Sequence, residues 1–456
     1  MEVDQERILE LLESRDYKEL KEELANCHPF DIAQFLEEVE DKQIIILFRL
    51  LGKEEAAETF TEMEGDTREK LINALTDSEL EEVMEEMYLD DTVDVLEEVP
   101  ANVVNRLLMV TDEDTRKQIN TLLNYPEDSA GSVMNVEYIG LSPDMTVEEA
   151  ILKIRQVGIN RETIYTCYVL DKRKLIGVVD IKELLTSSDN WTMEDIMTTN
   201  FIYSYTSDDQ EEVARKMRNY GLIAMPILDH GERMVGIVTA DDAMEVMVEE
   251  VTEDIGRMAG VSPMEDDYFG TSVFEHAKSR CVWLLLLMLS ATVTGLVIGH
   301  FEPVVLAMPI LNTFTPMLTG TGGNCGSQSS ALIIRGLTVG TVEMRDIFKV
   351  IFKELRVALL CGGFLAVVNG IRIVIMYHNT VEDPIRLAVA VGVTLIVTVV
   401  MAKLIGCCLP ILAKQVGLDP AIMAGPLITT LVDIGSTFVY FTIMIQMFSS
   451  LQNLPL

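Results

Sequence analysis

The chain has 456 residues and carries 73 acidic against 35 basic side chains, which gives a formal net charge of -38 at neutral pH. The charge is uneven, because 64 of the acidic and 24 of the basic residues precede Thr271, which leaves -40 on that part and +2 on the rest. So strong a negative charge argues against nucleic acid as a partner. The contrast predicts an acidic soluble region followed by an apolar one.

The first predicted domain, residues 1–130, is an all-α acidic region. Apolar residues recur at helical spacing with acids between them, as in ILELLESRDYKELKEEL and ELEEVMEEMYLDDTVDVLEEV. This spacing is typical of short amphipathic helices that stack into a bundle or superhelix. Pro29, Gly52, Gly65 and Pro100 divide the region into helix-pair lengths.

Residues 131–250 contain two similar α/β units, at about 134–190 and 191–250. In the first, TCYVLD precedes KRKLIGVVDIKELL; in the second, IAMPILD precedes HGERMVGIVTADDAMEVM; and a helix leads each unit. This order resembles a tandem pair of cystathionine-beta-synthase (CBS) modules. The resemblance implies a regulatory role and an adenine nucleotide such as ATP in a cleft between the modules.

The second module carries the residues expected to hold that nucleotide. Thr239 and Asp242 in GIVTADD match the Thr-x-x-Asp arrangement by which such modules hold a ribose. The first module has Asp180 and Glu183 in the equivalent stretch, which departs from the arrangement. The simpler alternative is that Thr239 caps the helix beginning near Asp241, because its hydroxyl can accept from the free amides of the first turn.

A connecting helix is predicted at residues 251–278, with an acidic first half and an amphipathic second half. Residues 279–456 then form a predicted all-α transmembrane domain of five helices, because their apolar runs are long enough to cross the roughly 30 Å hydrocarbon core of a bilayer. The runs are residues 281–299, 304–334, 357–377, 387–413 and 421–448.

The loops between the spans predict the orientation, because Lys and Arg are retained on the cytoplasmic side. Basic residues lie before the first span, between the second and third, and between the fourth and fifth, whereas the loops at 300–303 and 377–384 contain none. The N-terminal region is therefore predicted to be cytoplasmic and the C-terminus to be outside.

Two polar features interrupt the apolar runs. Asp433 is the only charged residue after Ala421, and an ionisable residue inside the membrane is by default a functional hypothesis for an ion or proton pathway. The second run contains LTGTGGNCGSQSSALIIRGL, whose glycines are suited to close helix packing. Packing does not explain the amide and hydroxyl side chains of the same segment, which are Asn324, Ser327, Gln328 and Ser329.

Together these features resemble the MgtE-type bacterial magnesium transporters over essentially the whole chain. The motifs that carry the resemblance are PMLTGTGGNCGSQS in the second run and DPAIMAGPLITTLVD at the fifth. The resemblance implies a homodimer in the bacterial inner membrane, with the ion path on the two-fold axis between the membrane domains. It also implies that Mg²⁺ enters the cytoplasm through this pore and that cytoplasmic Mg²⁺ closes it.

The same resemblance implies the residues that bind Mg²⁺. Asp433 matches the family's pore carboxylate, whereas Ser327 and Gly425 stand where some members have Asn. The expected pore ligands are Asp433, Asn324, Ser327, Gln328, Gly425 and Thr429. The acids expected to bind regulatory Mg²⁺ are Asp91, Asp94, Glu211, Glu212, Asp241, Asp242, Glu249, Glu250, Glu253 and Asp254.

The chemistry of magnesium agrees with these residue types. Mg²⁺ prefers an octahedron of oxygen ligands and keeps several waters, so one carboxylate from each of two protomers suits a hydrated ion. The seven cysteines form no metal-ligand pattern. No nucleophile with a base is recognisable, so an enzyme is not expected. Two alternatives remain: a divalent-cation carrier coupled to a proton or sodium gradient through Asp433, and a membrane-bound metal or nucleotide sensor without transport.

Overall fold

The computed structural model describes residues 4–264, 268, 271–423 and 425–452 of the chain. Its backbone divides into two compact units, Met1–Glu250 and Val251–Leu456. The first unit holds short helices and two small sheets, and the second is built mainly from long helices.

The first unit begins with ten short helices whose apolar sides share one core. Side chains cap several of them; Asp16, for example, accepts a hydrogen bond from the Glu19 amide at the start of α2 over 3.2 Å. The segments form helices because each places its apolar residues on one side, and a cap satisfies the free amides of the first turn. The prediction of an acidic helical N-terminal domain is confirmed. The helices are α1 Gln5–Ser14, α2 Tyr17–Leu24, α3 Pro29–Glu38, α4 Asp41–Phe48, α5 Lys53–Thr61, α6 Gly65–Ala74, α7 Asp77–Glu86, α8 Leu89–Glu98, α9 Ala101–Val110 and α10 Glu113–Leu122.

Two α/β modules follow, each with a three-stranded sheet. The strands are β1 Gly140–Leu141, β2 Thr166–Asp171, β3 Lys174–Asp180, β4 Ser204–Tyr205, β5 Ala224–Leu228 and β6 Met234–Thr239. In the first module β2 pairs parallel with β1 and antiparallel with β3, and β5 repeats this arrangement between β4 and β6. The helices are α11 Val147–Val157, α12 Ile181–Thr186, α13 Met193–Ile196, α14 Gln210–Tyr220 and α15 Ala240–Ala259. The duplicated unit predicted from the sequence is therefore present.

The predicted connecting helix, residues 251–278, is not a single helix. α15 continues from the second module to Ala259 and ends at Gly260, whose φ of 75° lies in the left-handed region that favours glycine. The next helix begins only at Val273. Periodicity alone did not reveal this break, because the backbone conformation of a glycine leaves no mark on the apolar pattern. Part of the predicted helix lies outside the described residues, at 265–267 and 269–270.

The described part of the second unit contains five long helices and one short one that precedes the second of them. They are α16 Val273–His300, α17 Glu302–Ala307, α18 Thr315–Val339, α19 Ile347–Tyr377, α20 Pro384–Gln415 and α21 Gly425–Met447. Within the described ranges, four segments are long and apolar enough to cross a membrane, and they contain α16, α19, α20 and α21. α18 is more polar, but its 25 residues also reach across a bilayer.

The second predicted span, residues 304–334, is divided in the structure. α17 is followed by a 3₁₀ turn, Pro309–Thr313, and α18 begins only at Thr315. Two prolines account for the division, because proline lacks the amide needed inside a helix and is favoured in a first turn. Pro309 begins the 3₁₀ turn, and Pro316 lies in the first turn of α18.

Candidate functional site

Glycines allow α18 to approach its neighbours closely. Gly322, Gly323 and Gly326 lie on its buried side. A Cβ atom at Gly326 would lie 2.5 Å from a methyl group of Ile428 on α21, and one at Gly406 on α20 would overlap the Gly326 carbonyl oxygen. We call Gly322, Gly323, Gly326 and Gly406 the glycine seam. Close helix packing, one interpretation of the glycine-rich segment, is confirmed.

Asp433 lies near the middle of α21. Its side chain is half-buried, and its Oδ1 atom is buried without a hydrogen-bond partner among the described residues. A buried carboxylate oxygen without a donor is unfavourable. This oxygen is therefore suited to a ligand from outside the chain, either water or a cation.

The side chains of α18 predicted to line the pore lie away from the glycine seam. Asn324 and Gln328 are exposed and Ser327 is half-buried. Amide groups in contact with lipid tails would lose hydrogen bonds. This face of α18 is therefore suited to contact with water or with another protein surface rather than with lipid.

The predicted pore residues of α18 and α21 lie on adjoining parts of the two helices. A Cβ atom at Gly323 would lie 2.9 Å from a methyl group of Thr429, so these helices touch next to Asn324. Asp433 follows Thr429 by one helical turn. The Thr429 hydroxyl donates to the Gly425 carbonyl oxygen at 2.8 Å, which leaves its own lone pairs available to a cation.

In the first unit, carboxylates collect around α8. We call this group the acidic cluster, and it consists of Asp90, Asp91, Asp94, Glu162, Asp241 and Asp242. The buried Asn135 amide joins two of its members, because its Nδ2 atom donates to Asp90 at 3.0 Å and to Glu162 at 3.1 Å. Sequence reasoning missed these two acids: Asp90 lies on α8 beside the predicted Asp91, whereas Glu162 reaches α8 only through tertiary folding.

Burial, together with neighbouring like charges, raises the pKa of several carboxylates in the acidic cluster. Burial and the charge of Asp242 raise the pKa of Asp91 to about 7, and the same causes raise the pKa of Glu162 to about 8. Burial and the charges of Glu245 and Asp91 also raise the pKa of Asp94, although part of this side chain faces solvent. Near neutral pH the cluster therefore favours protons or cations as partners.

The other predicted regulatory acids of the first unit lie on α14 and α15. Glu211 and Glu212 are in the first turn of α14, and Glu212 pairs with Lys216 at 3.3 Å. Glu250 accepts a hydrogen bond from Gln210 at 3.2 Å. Burial and the charge of Asp128 raise the pKa of Glu249.

Two predicted acids belong to the second unit. Glu253 pairs with Arg257, which also pairs with Asp419. Asp254 accepts a hydrogen bond from Thr338 at 3.5 Å, and burial and the charge of Asp419 raise its pKa. The end of α15 is thus connected by polar contacts to the loop before α21 and to the end of α18.

The acids do not form a ready-made metal cage. Within the described ranges, no group of three or more His, Cys, Asp or Glu side chains is arranged to hold a metal ion.

The two residues predicted to hold a nucleotide are hydrogen-bonded to each other. The Thr239 amide and hydroxyl both donate to the Asp242 carboxylate, at 3.0 and 2.6 Å. Asp242 therefore accepts two hydrogen bonds at the start of α15. A cavity of about 470 Å³ lies elsewhere in the modules, lined by Tyr165, Asp180 and Glu183 among others, and neither Thr239 nor Asp242 lines it.

A charged group inside the second unit was not predicted. Lys403 on α20 donates to the Ser329 hydroxyl at 3.0 Å, and that hydroxyl donates to Glu354 on α19 at 2.6 Å. The charged atoms of Lys403 and Glu354 are 3.5 Å apart, and their side chains are only 7% and 12% exposed. The signal in the sequence was Lys403 inside an apolar run, which requires an acidic partner on a neighbouring helix.

Five long helices, one of which contains a carboxylate, together with an acidic unit that holds paired α/β modules, are consistent with a multi-pass membrane protein. Comparison with known families gives the same division. Residues 315–443 match the MgtE family, described as a divalent cation transporter, residues 27–128 match the MgtE intracellular N domain, and residues 130–190 and 193–249 match CBS domains. The chain belongs to the MgtE family.

Two relatives match nearly the whole chain. The magnesium transporter MgtE of Thermus thermophilus is 35% identical over 439 residues, which cover 95% of this chain and 96% of the relative. That of Bacillus subtilis is 30% identical, with 96% of each chain covered. Both are named as transporters, and transporters are not enzymes.

Among solved structures, the cytosolic domain of the Mg²⁺ channel MgtE in complex with ATP is 35% identical and has a TM-score of 0.50. The match covers 52% of this chain and 98% of the solved chain. The soluble part of a magnesium transporter is 28% identical, with a TM-score of 0.51 and coverage of 54% and 97%.

Proposed function

We propose that this chain is a magnesium transporter that acts as a Mg²⁺-selective channel closed by cytoplasmic Mg²⁺. The observation that carries the proposal is the buried Oδ1 atom of Asp433, which has no hydrogen-bond partner among the described residues. A divalent cation that passes along α21 would supply the missing interaction. The names of the two relatives that match the chain over its length support magnesium as the cargo.

The pore is proposed to lie between two copies of the chain. The exposed amides of Asn324 and Gln328 give α18 a polar face in an otherwise apolar unit. Facing a second copy across a two-fold axis would remove that face from lipid and place two Asp433 carboxylates around one path. Hydroxyl and amide oxygens of Ser327, Gln328 and Thr429 would then contact the water shell of the ion, and so would the backbone at Gly425, which has no side chain.

The acidic unit is proposed to be cytoplasmic and to sense Mg²⁺. Burial and neighbouring like charges raise the pKa values of Asp91 and Glu162, so the ionised cluster is unfavourable without a partner. Hydrated Mg²⁺ between these carboxylates would offset the repulsion, and with Glu211, Glu212, Glu250, Glu253 and Asp254 it would favour one compact arrangement. That arrangement closes the channel in this proposal.

Ion flux into vesicles tests the transport function. The full-length protein is reconstituted in liposomes, and uptake of Mg²⁺, Ca²⁺, Co²⁺ and Na⁺ is compared under an inside-negative voltage. We expect Mg²⁺ uptake that follows voltage and needs no proton or sodium gradient. If Mg²⁺ uptake occurred only with a proton or sodium gradient, the protein would be a coupled carrier. If no ion were taken up, the alternative of a sensor without transport would be favoured.

Neutral variants test the gate. The variant Asp91→Asn/Asp94→Asn/Asp242→Asn retains side-chain oxygens but removes three charges from the acidic cluster. We expect it to conduct at Mg²⁺ concentrations on the acidic-unit side that close the wild type. The matched control is Glu81→Gln/Glu85→Gln/Glu86→Gln, which removes three exposed acids of α7. Unchanged inhibition in the first variant would reject the cluster as the sensor.

A nucleotide is proposed for the 470 Å³ cavity between the modules, next to Asp180. Its size suits a nucleotide, and the exposed Tyr165 and Tyr220 rings on its wall are suited to stacking against a base. The related cytosolic domain solved in complex with ATP supports an adenine nucleotide. The alternative location near Thr239 and Asp242, implied by the sequence motif, remains a prediction for the same binding experiment.

A further inference from the structure

The buried group of Lys403, Glu354 and Ser329 has no part in the proposed pore, yet it joins α18 to both α19 and α20. Taking a lysine and a glutamate out of water is unfavourable unless the two charges are paired and hydrogen-bonded. Here each is paired, and the Ser329 hydroxyl donates to Glu354 and accepts from Lys403. Ionisable residues within membrane helices commonly mark function, so this group requires an explanation.

The glycine seam fixes how closely α18 approaches its neighbours. It brings α18 into backbone contact with α20, because a Cβ atom at Gly406 would overlap the carbonyl of Gly326. Such contact fixes the distance between the helices. Glycines offer no side chain for a hydrogen bond or an ion pair, so the seam contributes no polar, directional contact between α18 and its neighbours.

The buried group supplies a directional contact at this place. Ser329 lies three residues after Gly326, on the buried side of α18, and the hydrogen bonds hold it from two neighbouring helices. At about 100° per residue, Gln328 lies roughly 100° and Asn324 roughly 140° around the helix from Ser329. Fixing the direction of Ser329 therefore fixes the directions of both exposed amides.

We infer that Lys403 and Glu354 are positioning residues of the proposed pore, because through Ser329 they set the rotation of α18 and so aim Asn324 and Gln328 at the ion path. The inference rests on the proposed function. It gives Lys403 and Glu354 no contact with the ion. Its consequence is that loss of the pair alters which ions pass, and not only how many channels are active.

The test compares Mg²⁺ and Co²⁺ flux through the full-length protein in liposomes. The variant Glu354→Gln/Lys403→Met removes both charges at once, which avoids an unpaired buried charge. We expect it to elute as the wild type does from a sizing column, to lose at least tenfold in Mg²⁺ flux and to change the Mg²⁺-to-Co²⁺ ratio at least threefold. The exchanged pair Glu354→Lys/Lys403→Glu is expected to recover part of both values relative to either single reversal.

The matched control removes another ion pair of the same segment. Asp346 and Lys349 lie 2.7 Å apart near the exposed start of α19, and the variant Asp346→Asn/Lys349→Met is expected to keep both flux and ratio. A merely structural role for the buried pair would lower Mg²⁺ and Co²⁺ flux in proportion and leave the ratio unchanged. A wild-type ratio in the neutral variant therefore overturns the inference.

Two further outcomes are also decisive. If the neutral variant does not fold, Ser329→Ala replaces it, since this change keeps both charges; a shifted ratio supports the inference and an unshifted ratio overturns it. If the wild type itself carries no Mg²⁺, the proposed function fails and the inference fails with it. If the wild type carries Mg²⁺ and the variants show the same Mg²⁺-to-Co²⁺ ratio as the wild type, the proposed function stands and the inference alone is wrong.

Discussion

The carboxylate of Asp433 experiences two opposing effects. An isolated negative charge is unfavourable in an apolar helix, and a second copy across a dimer axis would add repulsion. A hydrated Mg²⁺ between two such groups would offset both, since it carries two positive charges and needs oxygen partners for its waters. The residue is therefore suited to transient binding of the ion rather than to permanent coordination. Transient binding is what conduction requires, because the ion must leave the site again.

Replacing Asp433 with Asn tests whether the charge of this side chain is needed to bind the passing ion. Asn keeps the size and one oxygen but removes the charge, so we expect Mg²⁺ flux in liposomes to fall at least a hundredfold with little change in thermal stability. The control is Glu382→Gln, which removes an exposed carboxylate from the loop before α20. Undiminished flux and unchanged ion preference in the Asp433→Asn protein would remove the basis of the proposed channel.

The acidic cluster predicts an unusual dependence of stability on pH. The pKa values of Asp91 and Glu162 are raised to about 7 and about 8, above the values near 4 expected in an unfolded chain. Between these limits the folded unit binds protons that the unfolded chain has released. Its free energy of unfolding therefore falls as pH rises from about 4 to about 8.

Magnesium is expected to counteract this loss. In residues 1–250 expressed alone, the melting temperature with chelator should be lower at pH 8 than at pH 5, and added Mg²⁺ should raise it more at pH 8. For a unit of this size, each kcal/mol corresponds to roughly 2–4 °C. Asp91→Asn should reduce both the pH dependence of the melting temperature and the extra effect of Mg²⁺ at pH 8. Glu85→Gln on the exposed side of α7 should change neither. Equal effects of Mg²⁺ at the two pH values would argue against a cation site in the cluster.

At the level of helices, the glycine seam sets the spacing of α18, α20 and α21. Gly406→Ala should push α20 away from α18, because the new methyl group would overlap the Gly326 carbonyl. Overpacking of this kind costs about 1–3 kcal/mol, and we expect a lower melting temperature together with reduced Mg²⁺ flux. Gly363→Ala on α19 is the control, since nothing lies within 4 Å of its added Cβ. Equal stability of the two variants would show that the seam tolerates separation.

The sequence predicted those elements whose signal is local. Apolar periodicity gave the short helices and the long spans, and the duplicated strand and helix pattern gave the two modules. It did not reveal the end of α15 at Gly260 or the partner of Lys403, because one depends on a backbone angle and the other on contact between helices far apart in sequence. The acidic cluster was predicted only in part for the same reason: Glu162 reaches Asn135 and α8 through tertiary folding.

At the level of the whole molecule, nucleotide binding to the modules is expected to depend on the cavity next to Asp180. Tyr165→Ala removes an exposed ring from its wall and should weaken ATP binding by the full-length protein at least tenfold, as measured by calorimetry. The control is Tyr203→Ala, which removes an exposed ring that does not line the cavity. If Thr239→Val weakened binding and Tyr165→Ala did not, the nucleotide would belong to the second module's motif instead.

The turn at Gly260 has a practical consequence. Its backbone lies directly under the indole of Trp283 on α16, because a Cβ atom there would overlap the ring, and the indole nitrogen is buried. The chain has only two tryptophans, and the other, Trp191, is exposed on a module surface. In a Trp191→Phe protein, the tryptophan fluorescence would therefore come from Trp283 alone. The emission wavelength and the quenching of Trp283 would then report any displacement of α15 relative to α16, and no attached dye would be needed.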